Sequence, residues 1–183
     1  SGLSFAASDL KQPAKKAQII EAAEREVAAI EEAHQMGDIT DIERYSKLVD
    51  TWSHVTEDIQ KELREELKND DRGPDYINPL WAMFTSGARS SMAQLRQLAG
   101  FRGLMTKPNG RIIETPIRAN FREGMKGLEY FSATHGARKG LADTALQTAS
   151  SGYLTRKLVE VAQDVIITAI DCGTENGSSK GAV

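Results

Sequence analysis

The sequence has little of what stabilises small secreted proteins or spans membranes. Its 183 residues include one cysteine, five prolines and only 6% aromatic residues. A single cysteine excludes an internal disulfide framework. No apolar run approaches the roughly 20 residues that a transmembrane helix needs, so we expect a cytoplasmic protein without a membrane span. The remaining composition favours helices, and we expect the chain to be a segment of a longer polypeptide.

Catalytic sequence templates are also absent. The chain has no P-loop, nucleophile elbow, His-Glu-x-x-His zinc motif or dinucleotide fingerprint. The three histidines fall in different predicted elements, and we interpret His34 and His54 as ordinary solvated helix positions. The sequence itself therefore predicts no self-contained catalytic centre.

Charge is divided unevenly along the chain. Residues 1–79 contain 10 Lys and Arg against 18 Asp and Glu, whereas residues 86–157 contain 12 against 4. A cationic segment of this kind suits contact with a polyanion such as nucleic acid or nucleotide phosphates. Solvated helix faces give the same composition, so composition alone leaves both interpretations open.

Two apolar stripes predict an antiparallel helical hairpin. Apolar residues recur at spacings of three and four over about 13–35 and again over about 41–68. Gly37 lies where the first helix ends, and Thr40 with Glu43 forms the capping box that begins the second. Because each arm has one narrow stripe, we expect the arms to bury it only against each other.

The periodicity weakens after the polar segment 68–75. We predict a short helix over about 90–99, then a small β-hairpin around the turn Pro108-Asn109-Gly110. A long helix follows over about 125–168. The predicted fold class is therefore mainly α, with an antiparallel helical hairpin, a small β-hairpin and one long helix.

The long helix is cationic and interrupted by glycine. Gly136, Gly140 and Gly152 each cost about 1 kcal/mol relative to alanine in a helix interior. We therefore expect surroundings outside this chain to hold the helix, and we expect it to bend beside a ligand.

Small residues share one face of the long helix. Thr144, Thr148 and Gly152 fall at i, i+4 and i+8, with Ala149 beside them. Such a face lets a flat group such as a base pair approach the backbone. Basic residues near its two ends are candidate phosphate ligands: Arg138, Lys139, Arg156 and Lys157. Close packing against another helix uses the same small residues, so both interpretations stay open.

Arginine dominates the cationic residues between 89 and 122. Six arginines stand there against one lysine, Lys107, and arginine is the better bidentate phosphate ligand. Arg89 comes just before a predicted helix, where free backbone N–H groups attract phosphate. A plain capping turn is the alternative.

Residues 120–164 strongly resemble the bridge helix of the beta' family of bacterial DNA-directed RNA polymerase subunits. The segment Thr134-His135-Gly136-Ala137-Arg138-Lys139-Gly140 is similar to the bacterial form of that helix. The motifs Ser86-Gly87-Ala88-Arg89 and Ile112-Ile113-Glu114-Thr115-Pro116-Ile117 are similar to the funnel that precedes it. The helical hairpin resembles the rim of the secondary channel. Two positions depart from the family pattern, since Thr85 replaces a frequent aspartate and Ser90 a common glycine.

The resemblance covers nearly the whole chain and implies four parts of a larger, multidomain subunit. They are a rim hairpin over 1–79, a connector over 80–124, a bridge helix over 125–168 and the start of a zinc-site region over 169–183. In this family the middle of the bridge helix lies against the template base at the insertion site.

The resemblance also implies roles for individual residues. Residues on the bridge helix would support the template and the incoming nucleotide: Thr144, Thr148, Ala149, Gly152 and Tyr153. Four basic residues would contact nucleotide or nucleic acid: Arg89 near the incoming triphosphate, Arg138 and Lys139 in the hinge-like first part of the helix, and Arg156 at a template phosphate.

Cofactors and partners are implied by the resemblance alone. Family members use Mg²⁺ held by an aspartate-rich loop, which this sequence lacks together with the trigger loop. Cys172 in Asp171-Cys172-Gly173-Thr174 resembles the first of four ligands of a structural Zn²⁺. The implied partners are the beta, alpha, omega and sigma subunits, the DNA template, RNA, ribonucleoside triphosphates and proteins that enter the secondary channel, in a nucleoid-associated, cytoplasmic complex.

The implied activity is template-directed RNA synthesis, with the isolated chain inactive. Two alternatives stay open. In the first alternative, the chain is a helical interaction module that docks transcription factors without a catalytic role. In the second, it is an independent nucleic-acid-binding protein.

Overall fold

The computed structural model describes residues 2–70, 72–73 and 76–177, which are mainly helical as the sequence predicts. A short 3₁₀ turn, Ala7–Asp9, precedes five α-helices. The helices are α1 (Lys16–Met36), α2 (Asp41–Lys68), α3 (Pro79–Thr85), α4 (Met92–Ala99) and α5 (Gly127–Ala162). The chain divides into two compact units, residues 1–140 and 141–183, and α5 continues from the first into the second. In the described residues no helix is both long and apolar enough to cross a bilayer.

The predicted hairpin is confirmed, with α1 and α2 antiparallel. Gly37 ends α1 in the left-handed conformation, at φ 85°, which costs glycine little because it has no Cβ. The Thr40 hydroxyl accepts the N–H of Glu43 at 3.3 Å and so begins α2. Lys15, just before α1, reaches Glu62 near the end of α2 at 2.8 Å, as the antiparallel arrangement requires.

The expectation that the two arms bury their stripes only against each other is wrong. Trp52 and Ile59 of α2 share one buried cluster with Ala23 of α1 and with Phe101, which follows α4. The Trp52 and Phe101 rings stack with their centroids 6.0 Å apart. Phe101 is fully buried, so the hairpin base depends on the segment that leads toward α5.

A second buried cluster joins the end of α2 to the two short helices. Leu63 and Leu67 of α2 pack against Leu80 of α3 and Leu95 of α4. Helix α3 is absent from the sequence-based prediction. Its start nevertheless carries a signal, because the Asn78 side chain accepts the N–H of Leu80 at 2.9 Å and a proline occupies the first helical position.

The predicted small β-hairpin forms as isolated bridges rather than as two strands. The turn at 108–110 forms, but in the described residues the flanking segments make only two isolated antiparallel bridges, Gly103 to Ile117 and Thr106 to Ile112. The second arm holds more residues between its bridges than the first, and one of them, Pro116, has no N–H to donate. The hydrogen bonds between the two flanking segments therefore do not form a continuous β-ladder. This element, residues 103–117, is called the connector loop below.

Asn120 holds the segment between α4 and α5 in place through its side-chain hydrogen bonds. Its side chain is fully buried and donates to the carbonyls of Ala99 at 2.9 Å and Gly100 at 3.1 Å. Its carbonyl oxygen accepts the N–H of Glu123 at 2.8 Å. Every polar atom of this buried amide therefore has a partner, as a buried amide requires.

Helix α5 ends at Ala162 rather than near 168. The residues beyond it include Val165, Ile166 and Ile167, whose β-branched side chains lose rotamer freedom in a helix. At its other end the Glu129 carboxylate accepts the backbone N–H groups of Lys126 at 3.0 Å and Arg118 at 3.3 Å.

A polar cluster holds the N-terminal segment against the end of α2. Arg72 donates to the Asp9 carboxylate at 2.8 Å and to the Asp70 carboxylate at 3.0 Å, and Tyr76 donates to Asp9 at 3.1 Å. The backbone N–H of Ala6 lowers the pKa of Asp9, although burial opposes the shift. Burial also acts to raise the pKa of Asp70, but hydrogen bonds, first from Asn78 and then from Arg72 and Lys11, outweigh it and lower that pKa.

We expect acid to weaken this cluster. Both carboxyl pKa values are lower in the folded chain, so the ionised carboxylates stabilise the fold above about pH 4 and lose that effect as the pH falls through the folded-state values. Urea unfolding of residues 1–140 between about pH 6 and pH 3 measures the loss. Asp70→Asn should make the decline with acid shallower. Asp50→Asn is the control, because its side chain is 75% exposed; equal declines in the two variants contradict the prediction.

Candidate functional site

The second half of α5 presents a smooth surface. Thr144, Thr148 and Gly152 lie one turn apart along the helix, as their spacing predicts. The Thr148 hydroxyl donates to the carbonyl of Thr144 at 2.8 Å, so it bonds within its own helix. A Cβ at Gly152 would meet no atom within 4 Å. Ala149 lies beside this face and is also exposed. A flat group can therefore approach the helix backbone here.

Cationic and aromatic groups continue the same surface. Arg156 follows Gly152 by four residues, and its guanidinium donates to Glu160 at 2.9 Å. This carboxylate is absent from the sequence-based prediction, although an i, i+4 spacing is its signal. Such an exposed ion pair is weak, so a phosphate can compete for Arg156. The Lys157 ammonium lies 4.3 Å from the centre of the Tyr153 ring.

The basic residues of the first unit lie on two different elements. Arg138 is exposed and Lys139 is partly buried on α5, and neither has an ion pair with another described residue. Arg89 lies on the loop between α3 and α4. It is exposed, and its backbone N–H reaches the carbonyl of Met83 at 3.5 Å.

The loop that carries Arg89 ends in a complete capping box. Ser91 accepts the N–H of Gln94 at 3.3 Å, and the Gln94 side chain accepts the N–H of Ser91 at 3.0 Å. The plain capping turn is therefore formed, and the N–H groups it uses are not available to phosphate. Ser90 has φ 77°, a conformation that favours glycine. A glycine at this position would adopt the same conformation without strain.

Cys172 is an exposed free thiol. Asp171 beside it accepts the N–H of Gly173 at 2.9 Å. In the part of the chain that the structure describes, no three His, Cys, Asp or Glu side chains are placed to hold a metal ion together. Cys172 can therefore be one ligand of a site but does not form one with these residues.

A groove lies along the start of α5 within the first unit. Its volume is about 1300 Å³, and it is lined by residues just before and within the first half of α1, by residues 115–116 and 118–119, and by residues 123–124 and 126–129. Its charged rim is largely neutralised within the chain, because Lys16 pairs with Glu123 at 2.8 Å and Arg118 pairs with Glu24. No sequence pattern predicts this groove, because it depends on tertiary packing.

Sequence comparison matches most of the chain to two neighbouring family domains. Residues 39–128 match RNA polymerase Rpb1, domain 4, and residues 124–181 match RNA polymerase Rpb1, domain 5. The two matches overlap over residues 124–128, at the start of α5.

Relatives of high identity align with almost the whole chain. The chain is 58% identical to the DNA-directed RNA polymerase subunit beta' of Rhodopirellula baltica, with 100% of the chain covered. It is 55% identical to the subunits of the same name from a Nitratiruptor species and from Methylococcus capsulatus, with 97% covered in each. The chain spans only 13%, 12% and 13% of these relatives. The resemblance inferred from the sequence is therefore confirmed, and the chain belongs to the RNA polymerase family of Rpb1 and beta' subunits, as a segment of the beta' type.

Proposed function

We propose that this chain is the part of a DNA-directed RNA polymerase that supports the template and the incoming nucleotide. The reaction is template-directed transfer of nucleotides from ribonucleoside triphosphates to an RNA 3′ end. In this proposal the chain positions and translocates nucleic acid, and other segments of the enzyme supply the catalytic groups. Isolated from them, it should synthesise no RNA.

The observation that carries the proposal is the exposure of α5 beyond Gly140. Every described residue from 141 to 177 is exposed, including apolar residues such as Leu141 at 76% and Val161 at 83%. A helix with apolar residues around its circumference is stable when other surfaces cover it. The small face through Thr148 suits a base pair, and the apolar positions suit protein.

The basic residues complete this arrangement. Arg156 is placed one turn from Gly152 and would bind a template phosphate after releasing Glu160. Arg89 would contact the triphosphate of the incoming nucleotide, and Arg138 and Lys139 would support the hinge-like first part of α5. Thr144, Ala149 and Tyr153 would contact the template or the incoming nucleotide.

Two kinds of metal ion enter the proposal, and this chain would provide a ligand to one of them. Bound Mg²⁺ would stabilise the charge that develops during nucleotidyl transfer, and its ligands would lie on other segments of the enzyme. Cys172 would be one of four ligands of a structural Zn²⁺. The thiol is exposed and so is accessible to ligands from other segments.

The proposed partners follow from the same assembly. They are the beta, alpha, omega and sigma subunits, DNA and RNA, with ribonucleoside triphosphates as substrates and with proteins that enter through the secondary channel. The proposed location is the nucleoid-associated cytoplasm.

Arg156→Ala in the complete polymerase tests the phosphate contact. Loss of one contact should reduce the slope of log affinity for template DNA against log salt concentration by about 1. Arg25→Ala is the matched control, because it removes the same charge from an exposed side chain of α1 whose Nε donates to the carbonyl of Glu21 in its own helix. Equal slopes for the two variants would assign the effect to net charge and reject the contact.

One observation favours a second candidate function, a docking module. Near the turn of the hairpin, Met36 is 69% exposed and Ile42 is 82% exposed, among acidic residues such as Asp38 and Asp41. If Ile42→Asp abolishes the response to a secondary-channel protein while Arg156→Ala and Thr148→Asp leave elongation unchanged, docking is the function of this chain.

A further inference from the structure

The start of α2, near the turn of the helical hairpin, holds the connector loop by its backbone. The Tyr45 hydroxyl donates to the carbonyl of Ile112 at 3.3 Å and accepts the N–H of the same residue at 3.2 Å. The Arg111 guanidinium lies 5.0 Å from the centre of the Tyr45 ring. One residue earlier on α2, Arg44 pairs with Glu114 at 2.9 Å. The Tyr45 hydroxyl thus holds both backbone polar groups of Ile112, which belong to two consecutive peptide units.

Hydrogen bonds within the connector loop carry this restraint from its second half, which holds Ile112, to its first half, which holds Met105. Ile113, next to Ile112, donates its N–H to the carbonyl of Met105 at 2.7 Å, and Lys107 donates to Arg111 at 2.8 Å. These two bonds lie on either side of Ile112. A shift of Ile112 along α2 therefore moves Met105 with it, unless the bonds between the arms break.

Met105 meets α5 at a glycine. An alanine Cβ at Gly136 would lie 2.9 Å from the Met105 Cε, so this methyl group, the end of a flexible side chain, would have to move. At Gly140 and Gly152 a Cβ would meet nothing within 4 Å. Gly136 is thus the glycine of this helix where the absence of a side chain serves a tertiary contact, and that contact lies in the first unit.

We propose that Tyr45 is a positioning residue that sets the connector loop against α5. Its hydroxyl fixes Ile112, the paired arms carry the restraint to Met105, and Met105 packs on the helix backbone at Gly136. The proposal goes beyond the polymerase function, because it describes coupling between the hairpin and the helix whatever the helix binds. In the polymerase, a protein that shifts the hairpin would thereby act on the bridge helix.

Hydrogen exchange in the complete polymerase tests the coupling. Tyr45→Phe removes both hydrogen bonds but keeps the ring beneath Arg111. We expect it to speed amide exchange by about threefold or more in peptides from 103–117 and from 131–140, in line with the coupling seen between residues of one network. Ser53→Ala is the matched control, since its hydroxyl donates only to Val49 of the same helix. Faster exchange confined to 103–117 makes Tyr45 a local loop anchor and overturns the proposal.

A second measurement separates coupling from general loosening. Gly136→Ala alone must displace Met105, whereas in the Tyr45→Phe background the loop can move away. We expect the effect of Gly136→Ala on exchange in 131–140 to be about threefold smaller in that background, and Met105→Ala to relieve it equally. Strictly additive effects overturn the proposal. Because exchange is measured without RNA synthesis, this outcome is independent of whether the polymerase function is correct.

Discussion

Thr148→Asp in the complete polymerase should slow RNA elongation by at least about tenfold, which corresponds to about 1.4 kcal/mol in the barrier. The Thr148 hydroxyl bonds to the carbonyl of Thr144 at 2.8 Å, and the neighbouring Gly152 leaves the surface smooth. An aspartate would place a charge where a base pair approaches and would repel the template phosphates. Elongation rates on a defined template measure the effect.

Two matched variants separate charge from shape at this position. Thr148→Val keeps the branched side chain without the hydroxyl, so we expect a much smaller loss than with aspartate. Ser150→Asp adds the same charge about 160° around the helix and should also have the smaller effect. If Ser150→Asp slows elongation as much as Thr148→Asp, the small face has no special role and the proposed template contact is wrong.

Leu63→Ala should be the most destabilising single substitution considered for the first unit. The Leu63 side chain is fully buried and packs in the cluster that joins α2 to α3 and α4. Truncating a buried leucine costs about 2–5 kcal/mol through lost burial and the cavity left behind. For residues 1–140 a cost of about 3 kcal/mol should lower the urea midpoint by about 1–2 M.

Leu128→Ala provides the matched control for this experiment. It removes the same atoms from a side chain that is 83% exposed, so its effect should stay within about 0.5 kcal/mol. A Leu63→Ala midpoint no lower than that of Leu128→Ala would show that the second cluster is not part of the cooperative core. The same result would mean that α4 does not support the loop bearing Arg89.

Local signals explain which elements could be predicted from the sequence. Gly37 and Thr40 define the hairpin turn through backbone chemistry that acts within four residues, and both caps are observed. Of the predicted capping box only the Thr40 bond forms, because the Glu43 carboxylate pairs with Lys47 at 3.0 Å. Helix α3 is only seven residues long, too short to show a convincing period. Its Asn-Pro start was the available signal.

Tertiary contacts explain most of the remaining differences. Phe101 is fully buried against α2, but its sequence neighbourhood shows neither helix nor strand periodicity. Tyr45 belongs to the apolar stripe of α2, yet its hydroxyl holds a backbone group 67 residues away. No spacing rule connects such positions. The Asp9 and Asp70 carboxylates meet at Arg72 for the same reason.

For the candidate site, the sequence predicts which residues share a helix face better than it predicts the contacts those residues make. The spacing of Thr144, Thr148 and Gly152 on one helix follows directly from the helical period. The pairing of Arg156 with Glu160 is equally local and was overlooked. The template, nucleotide and metal roles depend on molecules outside this chain, so they remain predictions.

The residues just after α5 have a practical consequence for work with the separate chain. Val165, Ile166, Ile167 and Ile170 are 73% to 109% exposed, in a proline-free run with strong β-propensity and no charge between Asp164 and Asp171. Such runs pair readily between molecules when nothing covers them. Ending the chain before Val165, or introducing aspartate within the run, should therefore keep the separate chain soluble enough for crystallisation or spectroscopy.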